Sequence, residues 1–317
     1  MRLLDAKTLR LREFFGSDIP PYAILSHTWG SVEDEVSFQD ISNLTHEVRQ
    51  KPGFQKIAYT AQQAQRDDLD WVWVDTCCID KTSSAELSEA INSMYNWYNR
   101  SSRCYAYLSD VVPWPGSSQD DLWSSRMFEN SRWFTRGWTL QELIAPLWVA
   151  FYAQDWTFIN NKASKVLTDI TGIPTQLLFT EKEVAEYSVA QRMSWAANRA
   201  CTRVEDVAYS LLGLFGINMP LLYGEESKAF ERLQEEILKT IDDHSLFASV
   251  PMDESNERSR YQIVTSILAR SPRDFRQSSD VVRNGEELGE PSQITKHGLR
   301  IQLPLRKVRY TGEPPTP

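Results

Sequence analysis

Apolar positions in the first third of the chain fall into short continuous runs, separated by stretches in which they recur every three or four residues. The first run, Tyr22-Ala23-Ile24-Leu25-Ser26-His27-Thr28-Trp29-Gly30, follows Pro20-Pro21 and stops at a glycine, the pattern of a buried strand opening into a loop. From Gly53 to Leu69, Phe54, Ile57, Ala58, Ala61 and Ala64 share one helical face opposite Gln and charged residues, which predicts an amphipathic helix. Trp71 to Ile79 is rich in aromatic and β-branched residues and predicts a second, largely buried strand. Ser83-Ser84-Ala85-Glu86 then offers an N-cap, and the helix behind it sets Leu87, Ile91, Met94 or Tyr95, and Tyr98 on one side. Cys104 to Leu108 is a third strand.

Strands alternating with helices of this length predict a parallel sheet with right-handed crossovers. Ligands of such open sheets bind beyond the carboxyl ends of the strands, which places Ser26 to Gly30, Asp75 to Ile79 and Ser109 to Val112 along one rim. Pro113 to Ser118 reads as a loop, Trp123 to Trp133 as a helix, and Arg136 to Ile144 as a clearer short helix ended by Ala145-Pro146. Leu147 to Tyr152 and Trp156 to Ile159 flank Ala153-Gln154-Asp155 as a strand pair around a tight turn. Helical patterns then follow without strands, near Asn161 to Thr171, Glu183 to Ala197, Glu205 to Phe215 and Glu225 to Asp242. The polar stretch Asp253 to Arg260, a strand near Leu299 to Leu305 and a disordered tail after Val308 complete the chain. The organisation expected is therefore an α/β domain over 1–160, a helical extension packed on it over 161–245, and an irregular region over 246–317.

Composition narrows the class. The 317 residues suffice for a packed core, and four cysteines without zinc spacing predict reduced thiols and no metal site. The start, Met1-Arg2-Leu3-Leu4-Asp5, lacks the apolar stretch of a secretory signal, and no run is long enough to cross a bilayer, so a cytoplasmic protein that does not enter membranes is expected. A net charge of −9 without a basic stripe argues against nucleic acid as partner. The Pro-rich end at Pro317 fits a piece of a longer protein.

Chemistry concentrates on the predicted rim. Trp138 and Glu142 are four residues apart and share a helix face, where an indole stacks on a ring while a partly desolvated carboxylate binds a hydroxyl or stabilises positive charge. The competing reading is an ordinary amphipathic helix. Ser26, His27, Thr28 and Trp29 put three hydrogen-bonding side chains and an aromatic at a strand end, as either a ligand loop or structural hydrogen bonds. Asp75 at the next strand end either accepts from a ligand hydroxyl or caps the loop. Cys78 with His27 raises a thiol-hydrolase reading, opposed by the usual burial of free cysteines. Arg136 is a candidate for phosphate oxygens or for a surface salt bridge.

Three blocks in order resemble the fungal heterokaryon-incompatibility (HET) domain: Tyr22 to Gly30; Trp73-Val74-Asp75-Thr76-Cys77-Cys78-Ile79-Asp80; and Arg136-Gly137-Trp138-Thr139-Leu140-Gln141-Glu142-Leu143. That resemblance implies a role in non-self recognition, in which such domains trigger programmed cell death when incompatible cells fuse. A more distant resemblance links Trp138-Thr139-Leu140-Gln141-Glu142-Leu143 to the Trp-Cys-Leu-x-Glu-Leu segment of plant TIR domains, with Thr139 in place of the cysteine. It implies a TIR-like, flavodoxin-like fold, with Glu142 as the catalytic residue of NAD cleavage to nicotinamide and ADP-ribose. NAD or a related nucleotide is then a substrate, not a cofactor, bound by Ser26, His27, Thr28, Trp29, Asp75, Cys78, Arg136 and Trp138, with self-association on activation. The alternative is a non-enzymatic death-signalling module that acts through self-association or partner binding.

Overall fold

The computed structural model describes residues 1–112, 122–251, 267–283, 292–295 and 298–302. Its centre is a seven-stranded sheet: β1 (Arg2–Asp5), β2 (Leu11–Glu13), β3 (Ala23–His27), β4 (Trp71–Trp73), β5 (Arg103–Tyr107), β6 (Val149–Tyr152) and β7 (Phe158–Asn161), in the spatial order β2-β1-β4-β3-β5-β6-β7. β4, β3, β5 and β6 are parallel, and antiparallel strands close both edges. Counted among themselves in chain order, the parallel strands run 2-1-3-4, the flavodoxin-like order, which reverses between β3 and β5. The expected α/β class with a parallel sheet flanked by helices is present.

Helices fill the crossovers: α1 (Phe38–Ser42), α2 (His46–Gln50) and α3 (Pro52–Arg66) between β3 and β4; α4 (Asp75–Cys78) and α5 (Ser84–Arg100) between β4 and β5; α6 (Leu122–Glu129) and α7 (Thr139–Ile144) between β5 and β6. α5 starts where its sequence says, because the Ser83 side chain accepts from the Glu86 amide. α3 buries Ile57, Ala61 and Ala64 from the apolar stripe that predicted it. The expected β6–β7 pair is present, with β7 starting at Phe158 instead of Trp156, which lies in the turn at positive φ, and with a register shift at Phe151/Tyr152.

One expectation is corrected, and one element lies outside what the sequence predicts. The strand expected from Trp71 to Ile79 ends at Trp73, and Asp75 to Cys78 turn into α4. A four-residue helix shows no periodicity, so its apolar Cys77, Cys78 and Ile79 read as a continuation of the strand. The β1–β2 hairpin was not expected, because each strand is three or four residues long and carries charge at Arg2, Asp5, Arg12 and Glu13.

After β7 come α8 (Lys165–Thr171), α9 (Thr175–Leu178), α10 (Val189–Ser194), α11 (Asp206–Tyr209), α12 (Leu212–Phe215) and α13 (Lys228–Thr240), shorter than their sequence patterns because turns and 3-10 segments interrupt them. This helical part docks on the α/β part by close approach. A Cβ on Gly213 would lie 2.1 Å from the Tyr95 Cβ of α5, so only glycine fits there. Asn92 of α5 exchanges hydrogen bonds with the Met219 backbone. A two-stranded ladder pairs Gln293–Thr295 with Gly298–Arg300, which overlaps the start of the strand expected near Leu299 to Leu305; residues 303–305 lie outside the described residues. The Pro113 to Ser118 loop, the polar loop at 253–260 and the tail after Val308 lie outside the described residues. Among the described residues no helix is long and apolar enough to cross a membrane.

Candidate functional site

β3 ends at the point where the parallel strand order reverses, and its alternation splits the rim residues between the two faces of the sheet. Ser26 lies opposite Ala106 and shares its face with Ile24 and Cys104, the face that α7 covers. His27 lies opposite Tyr107 on the face toward α3. Only Ser26 therefore reaches the predicted glutamate: its hydroxyl donates to Glu142 Oε2 and accepts from Trp133 Nε1 at 2.9 Å. Trp133 is completely buried, so this chain of contacts is closed from below. The Tyr98 hydroxyl of α5, which donates to the Leu25 carbonyl at 3.0 Å, also faces the Glu142 carboxyl.

Glu142 is 7% exposed. Burial pushes its carboxyl up to about 8, the nearby Asp75 adds to the rise, and the Ser26 and Tyr98 hydroxyls and the Arg199 cation oppose it. The resting carboxyl is therefore mostly protonated at neutral pH. α7 is itself short, and every one of its residues is buried. It is held at its C-terminal end by Lys162, whose buried ammonium donates to the Ile144 carbonyl at 2.9 Å and the Pro146 carbonyl at 2.6 Å. A cation at the negative end of a helix is the favourable placement.

On the other face, His27 Nε2 and Asp75 Oδ1 lie 3.6 Å apart, both sealed from solvent and neither hydrogen-bonded within the protein. Burial drives the imidazole well below its usual range, so it is neutral, and raises the Asp75 carboxyl. The other Asp75 oxygen accepts from the Trp29 indole at 2.8 Å. The Trp29 ring is half exposed, with the Lys81 ammonium 3.6 Å from its centroid. Below it, Glu35 accepts from the Gly30 amide at 2.7 Å and pairs with the buried Lys56 at 2.6 Å. Glu35 belongs to the acidic run Glu33-Asp34-Glu35, whose sequence reads as a solvated turn; pairing with Lys56 was not legible because Lys56 sits on a separate helix.

The other predicted residues are placed differently. Thr28 is buried beside His27. Cys78 is buried, its sulfur accepting from the Val74 amide at 3.4 Å, and the neighbouring Cys77 thiol is pushed well up by its bond to Cys78 and by burial. A thiol raised in this way, as Cys77 is, makes a poor nucleophile. Arg136 donates to Thr202 Oγ1 at 3.0 Å and Trp138 donates to Asp206 Oδ2 at 3.3 Å, so both engage the helical part. Ser26, Trp133, Tyr98 and Glu142 thus form one cluster, His27, Asp75 and Trp29 another beside it, and Arg136 and Trp138 a third at the start of α7. Trp133 and Arg199 were not among the residues expected at the site, and only the fold brings them there. Among the described residues no three His, Cys, Asp or Glu side chains come together to hold a metal ion.

The family model "Heterokaryon incompatibility protein (HET)" matches residues 22–114, which include β3 to β5 and the Ser26, His27 and Asp75 positions; α7 and Glu142 lie beyond that span. A domain of unknown function (DUF8212) matches residues 228–311. Over 246 residues the chain is 46% identical to the vegetative incompatibility protein HET-E-1 of Podospora anserina, an alignment covering 75% of this chain and 18% of that protein. Less than a fifth of that relative's length is thus represented here. No solved structure matches the chain.

Proposed function

This chain carries a heterokaryon-incompatibility domain, and from that premise we propose that it acts in the cytoplasm to trigger programmed cell death by hydrolysing NAD to nicotinamide and ADP-ribose. The observation that carries this reading is the buried Glu142 at the carboxyl end of the strands, touching Ser26 where the parallel strand order reverses. A carboxyl held in a dry site stabilises positive charge more strongly than one in water.

The resting acid suits a cationic substrate. A pyridinium brought beside Glu142 favours the ionised carboxylate, and the proton leaves to solvent. The bond between the nicotinamide nitrogen and ribose C1′ then breaks, its electron pair going to the ring nitrogen. The oxocarbenium-like ribose that results is stabilised by the carboxylate. Water adds at C1′ and gives up a proton, so NAD and water become nicotinamide, ADP-ribose and a proton. In this reading Ser26 orients the carboxyl, the half-exposed Trp29 offers a stacking face, and the unpartnered Asp75 and His27 atoms behind it accept ribose hydroxyls once Trp29 moves aside. Thr28 and Cys78 support that wall, while Trp138 and Arg136 serve the ring and the diphosphate at the start of α7. Assembly into oligomers would supply activation.

Purified protein incubated with NAD, dilute and crowded, tests this directly. Nicotinamide should appear with wild type and vanish in Glu142→Ala that retains its circular dichroism. No nicotinamide under any assembly condition, with cell killing unaffected by Glu142→Ala, would overturn the reading in favour of a non-enzymatic module.

A further inference from the structure

Arg199 lies in the helical part, on the turn after α10, yet its side chain is spent on the start of α7. Its Nε donates to the Trp195 carbonyl at 3.3 Å, and one Nη donates to both the Arg136 carbonyl at 3.0 Å and Thr139 Oγ1 at 2.9 Å. The other Nη is sealed from solvent and has no hydrogen-bond partner in the protein. The backbone on either side is tied to the same place: Ala200 bridges Arg136, the Ala200 amide donates to the Thr135 carbonyl at 2.7 Å, and the Gly137 amide donates to the Ala200 carbonyl at 2.9 Å. The approach is so close that a Cβ on Gly137 would fall 2.2 Å from Cys201 Sγ.

A partly buried guanidinium with one Nη sealed from water needs a counter-charge, because desolvation otherwise penalises it. Among the described residues no carboxylate forms an ion pair with Arg199; the acid that acts on it most strongly through space is Glu142, one turn into α7, when ionised, followed by the Cys201 thiol. The dependence is mutual, since Arg199 is a cation opposing the rise of the Glu142 carboxyl. We infer that Arg199 is a positioning residue for Glu142, supplied by the helical part, which clamps the first turn of α7 and provides the positive charge against which the carboxylate forms. The α/β part alone therefore holds an incomplete site. The inference rests on the NAD reading for its catalytic meaning, but the coupling between the two side chains is a physical property that exists without turnover.

The other groups facing the Glu142 side chain or backbone are Ser26 of β3, Asp75 of α4, Tyr98 of α5, Cys104 of β5 and the indole of Trp133. Asp75 is the group among them that opposes Arg199 electrostatically. The Glu142 titration can be read without substrate, from the carbonyl stretch of its protonated carboxyl in infrared spectra, with Glu142→Gln as the blank. Arg199→Met should raise the midpoint by about one unit, and Arg199→Lys, which keeps the charge, should return it toward wild type. Should Arg199→Met fail to fold, Arg199→Gln keeps a donor for Thr139 without the charge and gives the same comparison. An unchanged midpoint in a folded, charge-free variant overturns the inference. A shifted midpoint in protein that never releases nicotinamide overturns the NAD reading while leaving the coupling in place.

Discussion

Glu142 stores a proton that the unfolded chain would release, and this makes the stability of the protein depend on pH in a definite direction. Its folded value of about 8 lies above the ordinary 4.5, so between those two values the folded state binds more protons than the unfolded one. The Glu142 contribution to stability is thus greatest below that window, falls as pH rises through it and is level beyond it. Glu142→Gln keeps the hydrogen-bonding shape and removes the titration. It should be more stable than wild type by ~3 kcal/mol near neutrality, with the advantage fading as pH falls toward 4.5. Urea unfolding midpoints across that range measure this, and a constant difference would contradict it. Ser26→Ala removes the acceptor of the Trp133 indole and the donor to Glu142 together, leaving both buried groups short of a partner. It should cost ~2 kcal/mol, more than a surface serine, and move the acid limb of nicotinamide release to higher pH, because the Ser26 hydroxyl holds the carboxyl down.

Short elements survive here because others hold their ends. α7 is less than two turns long, below the length at which a helix is stable in isolation, and tertiary contacts must keep it formed. Lys162 satisfies two carbonyls at its C-terminal end while buried so deeply that its ammonium is pushed down to about 8. Lys162→Met leaves both carbonyls without those donors and should destabilise the protein by about 2–4 kcal/mol in chemical denaturation. At the other end, Gly137 exists for the close approach of the segment around Cys201. Gly137→Ala should therefore destabilise by more than ~2 kcal/mol, and Cys201→Ala in the same chain should recover part of the loss. Additive effects in that double-mutant cycle would mean that the two residues do not collide.

At the scale of the molecule, the helical part behaves as a wall of the α/β part. Gly213 rests on Tyr95, Asn92 holds the Met219 backbone, Asp206 receives the Trp138 indole, and Arg199 clasps α7. Removing it exposes apolar surface on α5 and leaves α7 without its clamp. A fragment of residues 1–164 should bind a hydrophobic dye and lose the near-ultraviolet circular dichroism of its buried tryptophans. Cooperative unfolding of that fragment with a midpoint equal to that of the full chain would show the two parts to be independent.

Local pattern was enough for the parallel strands, for α3 and α5, for the Ser83 cap, the β6–β7 pair and the apolar face of α13, because period, propensity and capping act within a few residues of one another. The same pattern brought Ser26 and Asp75 to strand ends and set Trp138 and Glu142 on one face of a short helix, while the choice of Glu142 over an ordinary helix residue came from the TIR resemblance. It stopped at α4, too short to show a period, and at the β1–β2 hairpin, too short and too charged to show a strand. Tertiary structure alone decided which rim residues meet. The alternation of β3 sends Ser26 to Glu142 and His27 to Asp75, and docking of the helical part turns Trp138 and Arg136 toward Asp206 and Thr202. It also decided the charge on Glu142, because protonation follows from burial, from Asp75 and from the cation Arg199, which comes to the start of α7 from a distant part of the chain.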